Sequence, residues 1–262
     1  IEANEADKSN PTQNAVELAD VYVMQSDYTW LLIPERIEIY KKAFDLLDPI
    51  PNKTLKIQGS FTKVSQRLGT NYVWLGDEFA KEGDKEKALE SYRNALPYNQ
   101  KMFESVKAEI EIGGITQNLQ RNLSGANLNL GENYFKLNEK EKGLEMLQNS
   151  LEVALELAKS DPKNTEASID VANSNISFST AYEQFGDFPK AIAANEKALE
   201  ILWKSSSSDN KNIEVADAII RRLNQGTILF EKANRSGEAK IYRQKLEDFC
   251  KSDGSNSECS RI

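Results

Sequence analysis

Four stretches of this chain repeat one another, and that repetition restricts the fold more than any other feature. They run from Leu75 to Leu96 (LGDEFAKEGDKEKALESYRNAL), Leu130 to Leu151 (LGENYFKLNEKEKGLEMLQNSL), Phe178 to Leu199 (FSTAYEQFGDFPKAIAANEKAL) and Gln225 to Leu246 (QGTILFEKANRSGEAKIYRQKL). A small or turn-competent residue stands in the middle of each, at Gly83, Asn138, Gly186 and Ala233, with intervals of 47 to 55 residues. Aromatic residues precede the first three turns at Phe79, Tyr134 and Tyr182, and small residues follow them at Ala88, Gly143 and Ala191. The fourth stretch has Glu238 at that last position, with Ala239 adjacent. A fainter copy from Val23 to Phe44 keeps Tyr40 and Ala43 but has Leu31 at its centre.

The physical reading is a helix, a tight turn and a second helix packed antiparallel to the first. Glycine at the turn reaches the left-handed conformation that ends a helix. Cap chemistry then opens the next helix. Asp84 and Asp187 suit the positive end of a helix. Asn138 followed by Glu141 resembles a capping box. Pro189 falls in a first turn, where its missing N–H costs nothing. Ala88, Gly143 and Ala191 allow close approach of the two helices. Pro97 is expected to kink or break the helix it interrupts.

Composition narrows the function. The 262 residues carry 33 basic and 41 acidic side chains, a net charge of −8, and no histidine. Nucleic-acid binding is disfavoured, because phosphate affinity needs clustered Lys and Arg. The lack of histidine removes the commonest general base, the Ser-His and Cys-His nucleophile pairs and the commonest metal ligand. The chain is therefore read as non-catalytic, with no cofactor and no metal site. No run of 18 apolar residues occurs, so no membrane-spanning segment is expected within this chain. Residues 1–12 read as a polar, disordered linker or arm, 13–250 as the helical repeat domain and 251–262 as a flexible tail. A disulfide between Cys250 and Cys259 is sterically allowed and suits an exported protein; in the cytosol the two would be plain thiols.

The first of these stretches carries a resemblance to the tetratricopeptide repeat family. Leu75, Gly76, Phe79, Gly83, Asp84, Ala88, Tyr92 and Ala95 fit its Leu-Gly, aromatic, Gly-Asp, small, aromatic, Ala pattern. Leu130, Gly131, Tyr134 and Gly143 keep part of it, as do Tyr182, Gly186, Asp187, Ala191 and Ala198. The departure is the period, which is 34 residues in the family. The resemblance implies an all-α fold, a right-handed α-solenoid of about five antiparallel helix pairs. These are placed at 13–32 and 35–48, 54–82 and 84–112, 114–137 and 139–160, 164–185 and 188–204, and 211–234 and 236–250.

The same resemblance implies a non-catalytic interaction module that binds a protein or peptide on a concave groove lined by the first helix of each pair. Carried over position by position, the groove residues are Trp74, Asp77 and Lys81, then Asn129, Glu132 and Phe135, then Asn173 and Ser177, then Asn224 and Phe230. Asn129 and Asn224 suit an extended backbone, since an amide both donates and accepts, although Asn is also common on any wet helix face. Trp74 is either a partner anchor or a residue packed against the neighbouring pair; Trp30 and Trp203 read as packing residues at helix ends. The positions of the family's carboxylate-clamp lysines hold Val73, Leu128 and Thr180, which disfavours a chaperone-tail receptor. Long-period arrays of this kind also resemble those downstream of bacterial serine/threonine kinase domains. That likeness implies, as the alternative, a sensory or scaffolding region of a bacterial membrane receptor, on either side of the membrane. Self-assembly through the ends of the array is a further alternative and leaves oligomerisation open. The run Ser205–Ser208 reads as the start of a linker.

Overall fold

A computed structural model describes residues 10–27, 31–162, 164–208, 213–252 and 259. Among the described residues there are ten α-helices and no strand. They are α1 (Pro11–Asp27), α2 (Ile33–Leu47), α3 (Leu55–Glu82), α4 (Lys85–Gly113), α5 (Gln117–Lys136), α6 (Lys140–Ser160), α7 (Thr165–Gln184), α8 (Phe188–Ser208), α9 (Ile213–Lys232) and α10 (Ser236–Ser252). The fold is an all-α helical repeat. The chain forms two compact units, Ile1–Met146 and Leu147–Ile262, with the division inside α6.

Each unit has its own core. In the first, Val16, Val23, Ile37, Leu47, Val64 and Leu68 are almost completely buried between α1, α2 and α3. In the second, Leu202, Ile219, Leu223, Leu229 and Leu246 close the space among α8, α9 and α10. Helices α3 and α4 are the longest, at 28 and 29 residues, and the length of α4 accounts for the long interval between the turns at Gly83 and Asn138. Their additional turns meet through a polar interior. Gln58 Nε2 donates to Ser105 Oγ at 2.6 Å, and Thr62 Oγ1 donates to Glu109 Oε1 at 2.5 Å. Burial raises the Glu109 carboxyl above its usual range, against the lowering effect of the Thr62 hydroxyl.

Four helix–helix turns share one backbone device. Gly83, Asn138, Gly186 and Asn234 all take positive φ, between 57° and 86°. At each, the next N–H bonds back to the carbonyl of an aromatic residue five positions earlier. Asp84 reaches Phe79 at 2.9 Å, Glu139 reaches Tyr134 at 2.8 Å, Asp187 reaches Tyr182 at 2.9 Å and Arg235 reaches Phe230 at 2.8 Å. This is the Schellman closure of a helix. A cation then lies over each of those rings: Lys87, Lys142, Lys190 and Arg235, at 4.8–5.4 Å from the centroids. The same cations pair across the turn with Asp84, Glu139, Asp187 and Glu238. The last turn reverses the order of the charges yet keeps the cation over the ring.

Several expectations are corrected here. Asn138 does not cap α6; it is the left-handed residue that ends α5, and the Glu139 carbonyl accepts the first bond of α6, from Gly143 at 3.0 Å. The fourth turn is centred on Asn234, one residue beyond Ala233, because the asparagine tolerates positive φ and the alanine does not. Pro97 does not break α4, which runs through it to Gly113. The residue is exposed, and contacts to α3 on both sides, from Tyr92 and Ser105, hold the helix in place. The Ser205–Ser208 run belongs to α8, with Ser205 buried and bonded to the Ile201 carbonyl. Pro11 and Thr12 are already helical, as are Lys251 and Ser252. The rest of the expected arm and tail, apart from Asn10 and Cys259, lies outside the described residues, as does Trp30.

Candidate interaction surface

The first helices of the first unit set out a face centred on Trp74. This indole is 47% exposed on α3 and stands at helical spacing from the exposed Glu78 and Lys81. The indole is thus neither fully buried nor fully in water. Helix α5 runs in the same direction as α3, since each pairs antiparallel with α4: Thr62 and Gln58 meet Ser105, Asp77 meets Tyr92, and Met102 and Asn99 meet Asn129 and Asn133. One ion pair fixes the register of α5 beside α3, from Lys136 Nζ to Asp77 Oδ1 at 2.5 Å. One turn back from that pair along each helix lie Trp74 and Glu132, and a further turn back on α5 lies Asn129. The exposed indole and a polar stripe of α5 thus share a face.

Asp77 serves the fold as well as the surface. It also accepts from the Tyr92 hydroxyl at 2.7 Å, and burial together with this carboxylate lifts the Tyr92 phenol well above its usual value. Lys136 lies over the Tyr92 ring at 5.4 Å. Gly76 has no side chain because the Tyr92 ring occupies the place a Cβ would need. Other acid–cation contacts join first helices elsewhere, at different registers. Asp27 accepts from Tyr40 at 2.7 Å and pairs with Arg67 of α3 at 3.2 Å. In the second unit Glu183 of α7 pairs with Lys232 of α9 at 2.7 Å and accepts from Gln225 at 2.5 Å. The sequence reading missed this ladder of acid and cation. Its signal was present: Lys136 and Lys232 each stand two residues before a left-handed asparagine.

The other sequence-derived positions divide three ways. Lys81, Glu132, Asn173 and Asn224 are exposed. Asn129 is half-buried, and its amide donates to Met102 Sδ at 3.6 Å. Phe135, Ser177 and Phe230 do not face outward. Phe135 is buried against Gly143, where a Cβ would sit 2.8 Å from its ring, Ser177 is buried, and Phe230 belongs to the second unit's core. Phe135 and Phe230 meet the second helix of their own hairpins, at Gly143 and Tyr242.

At the far end of the second unit, Cys250 and Cys259 form a disulfide. Both line a cavity of about 450 Å³ between α9 and α10, together with Asn224, Ile228, Glu231 and Arg243. Among the described residues, no cluster of His, Cys, Asp or Glu is arranged to hold a metal ion. No described helix is long and apolar enough to cross a membrane.

The profile described as tetratricopeptide repeat matches residues 70–101, which contain the Gly83 turn. No curated protein matches the chain in sequence. Among solved structures the chain aligns with BtubC (BKLC) from P. vanneervenii at 13% identity, over 94% of this chain and 92% of that one, with a TM-score of 0.46. It aligns with the MamA protein at 16% identity, over 95% and 96%, with a TM-score of 0.45. It also aligns with the apo form of RapI at 12% identity, over 92% and 77%, with a TM-score of 0.43. At these identities and scores the three likenesses carry no argument about activity or partners.

Proposed function

We propose that this tetratricopeptide-repeat chain is a non-catalytic interaction module, and that it engages a protein or peptide partner through the Trp74 face of its first unit. The observation that carries the reading is the half-exposed indole. A large aromatic left half in water on a helix surface is a natural anchor, since its burial in a complex contributes far more than a rim contact does. The polar stripe of α5 suits the remainder of such a site, with Asn129 and Glu132 offering acceptors to backbone or basic groups of a partner. The Asp77–Lys136 pair and the Tyr92 hydroxyl hold the two helices in register, so the surface is formed before the partner arrives.

The test is site-specific photo-crosslinking in the native cell. A benzophenone amino acid replaces Trp74 in one variant and Lys240, an exposed residue of α10, in another. The proposal expects a discrete adduct from position 74 that position 240 does not give. Identical adducts from both positions, or none from position 74, would overturn it.

A further inference from the structure

We infer that Arg222, with Arg221 beside it, binds the oxyanions of an acidic peptide segment of another protein, at a site in the second unit that is separate from the Trp74 face and independent of its role. Arg221 is exposed on α9, whereas Arg222 is half-buried. The Arg222 carbonyl accepts from the Asn195 amide at 3.0 Å, which ties this turn of α9 to α8. The guanidinium of Arg222 is a fork of N–H donors whose charge is not shed at neutral pH. Among the described residues it makes no hydrogen bond and no ion pair. Burial pushes it down from its ordinary value, Arg221 adds to this, and Glu183 opposes only in part.

The acids around it are committed elsewhere. Glu183 of α7 pairs with Lys232 at 2.7 Å and accepts from Gln225 at 2.5 Å. On α8, Glu196 accepts from Tyr242 at 3.2 Å, and Glu200 pairs with Lys204 at 2.5 Å. Helix α7 runs parallel to α9, since each is antiparallel to α8. The Gln225–Glu183 bond then sets Arg222, one turn back, beside the stretch of α7 before Glu183. That stretch, 171–182, reads VANSNISFSTAY and has no acid. On α9 itself the residues three and four places away are Ala218, Ile219, Gln225 and Gly226. In a chain of net charge −8, two adjacent arginines are thus left without a carboxylate among the described residues.

A half-buried cation without a counter-charge is destabilising until something supplies one. A carboxylate or phosphate does so, because two of its oxygens match two N–H groups of the fork. Successive side chains on a helix point about 100° apart, so a single oxyanion does not engage both arginines. Two acidic residues of one peptide do, one at the half-buried fork and one at the exposed fork.

The probes are three labelled octapeptides, with a central Glu-Glu, a pair of phosphoserines or a neutral Gln-Gln. Each is titrated into the intact chain by fluorescence anisotropy at fixed ionic strength. The expected result is saturable one-to-one binding of an acidic peptide and none of the neutral one. Arg222→Met should weaken it by about tenfold or more, Arg221→Met less, and Trp74→Ala not at all. The tighter of the two acidic peptides names the oxyanion as carboxylate or phosphate. Without peptide, the urea midpoint of Arg222→Met should equal or exceed that of wild type, because methionine keeps the aliphatic packing and removes an uncompensated charge. Failure of both acidic peptides to bind, or equal binding by wild type and Arg222→Met, would overturn the inference. So would a lower midpoint for Arg222→Met, since the guanidinium would then have its partner within the chain.

Discussion

Gly83 isolates the backbone contribution of the turns from every other contribution. Its φ is 86° and ψ is 2°, and a Cβ built there would meet nothing within 4 Å. Substitution therefore costs no clash and creates no cavity; only the left-handed conformation is penalised. Asparagine occupies the equivalent place at Asn138 and Asn234, so Gly83→Asn should cost below about 1 kcal/mol. Gly83→Ala should cost about 1 kcal/mol, and Gly83→Val, β-branched, about 1–3 kcal/mol. The assay is urea unfolding followed by far-UV circular dichroism, with the stability difference taken from the midpoint and slope. The order Asn, Ala, Val is the signature. Equal losses for all three, or none for Val, would show that positive φ at this turn does not govern stability.

Gly143 should behave differently for a different reason: its Cβ would lie 2.8 Å from the Phe135 ring, so Gly143→Ala should cost about 1–3 kcal/mol by overpacking, and Phe135→Leu in the same chain should relieve part of it in a double-mutant cycle. Glu109 holds its proton to higher pH in the folded chain than in the unfolded one, because burial raises its carboxyl. Its contribution is therefore greatest below the ordinary carboxylate range and is lost as pH rises through the raised value, so Glu109→Gln should be stabilising at neutral pH and indistinguishable from wild type in acid. A variant less stable than wild type at pH 7 would contradict this. Lys136→Met should cost about 1 kcal/mol after allowance for solvent screening, and the difference from wild type should shrink as salt is raised from 20 mM to about 1 M.

The hairpins were legible because their signals are local. A turn glycine or asparagine, an aromatic before it and a small residue after it are read within twenty residues, and the expected helix boundaries lie within a few residues of those observed, except that α1, expected to reach residue 32, ends at Asp27, with Leu31 and Leu32 outside any helix. Asn138 and Ala233 show the limit. Asparagine is both an N-cap and a left-handed residue, and only the backbone bonds decide between them. The surface was less legible. Trp74, Lys81, Glu132, Asn173 and Asn224 emerged on the outside, whereas Phe135, Ser177 and Phe230 went into the interior, because a helix turns 100° per residue and repeats of unequal length defeat alignment to that accuracy. The ladder joining Asp77 to Lys136 spans 59 residues, and no short-range pattern states which acid meets which cation.

The partner recovered by crosslinking at position 74 allows the most direct measurement. Isothermal titration of that partner should show Trp74→Ala binding about tenfold or more weaker than wild type, while the urea midpoint of the variant stays within error of wild type, as expected for an indole that already faces water. Equal affinity for the two proteins, with the fold equally intact, would contradict the assignment of the interaction to this face.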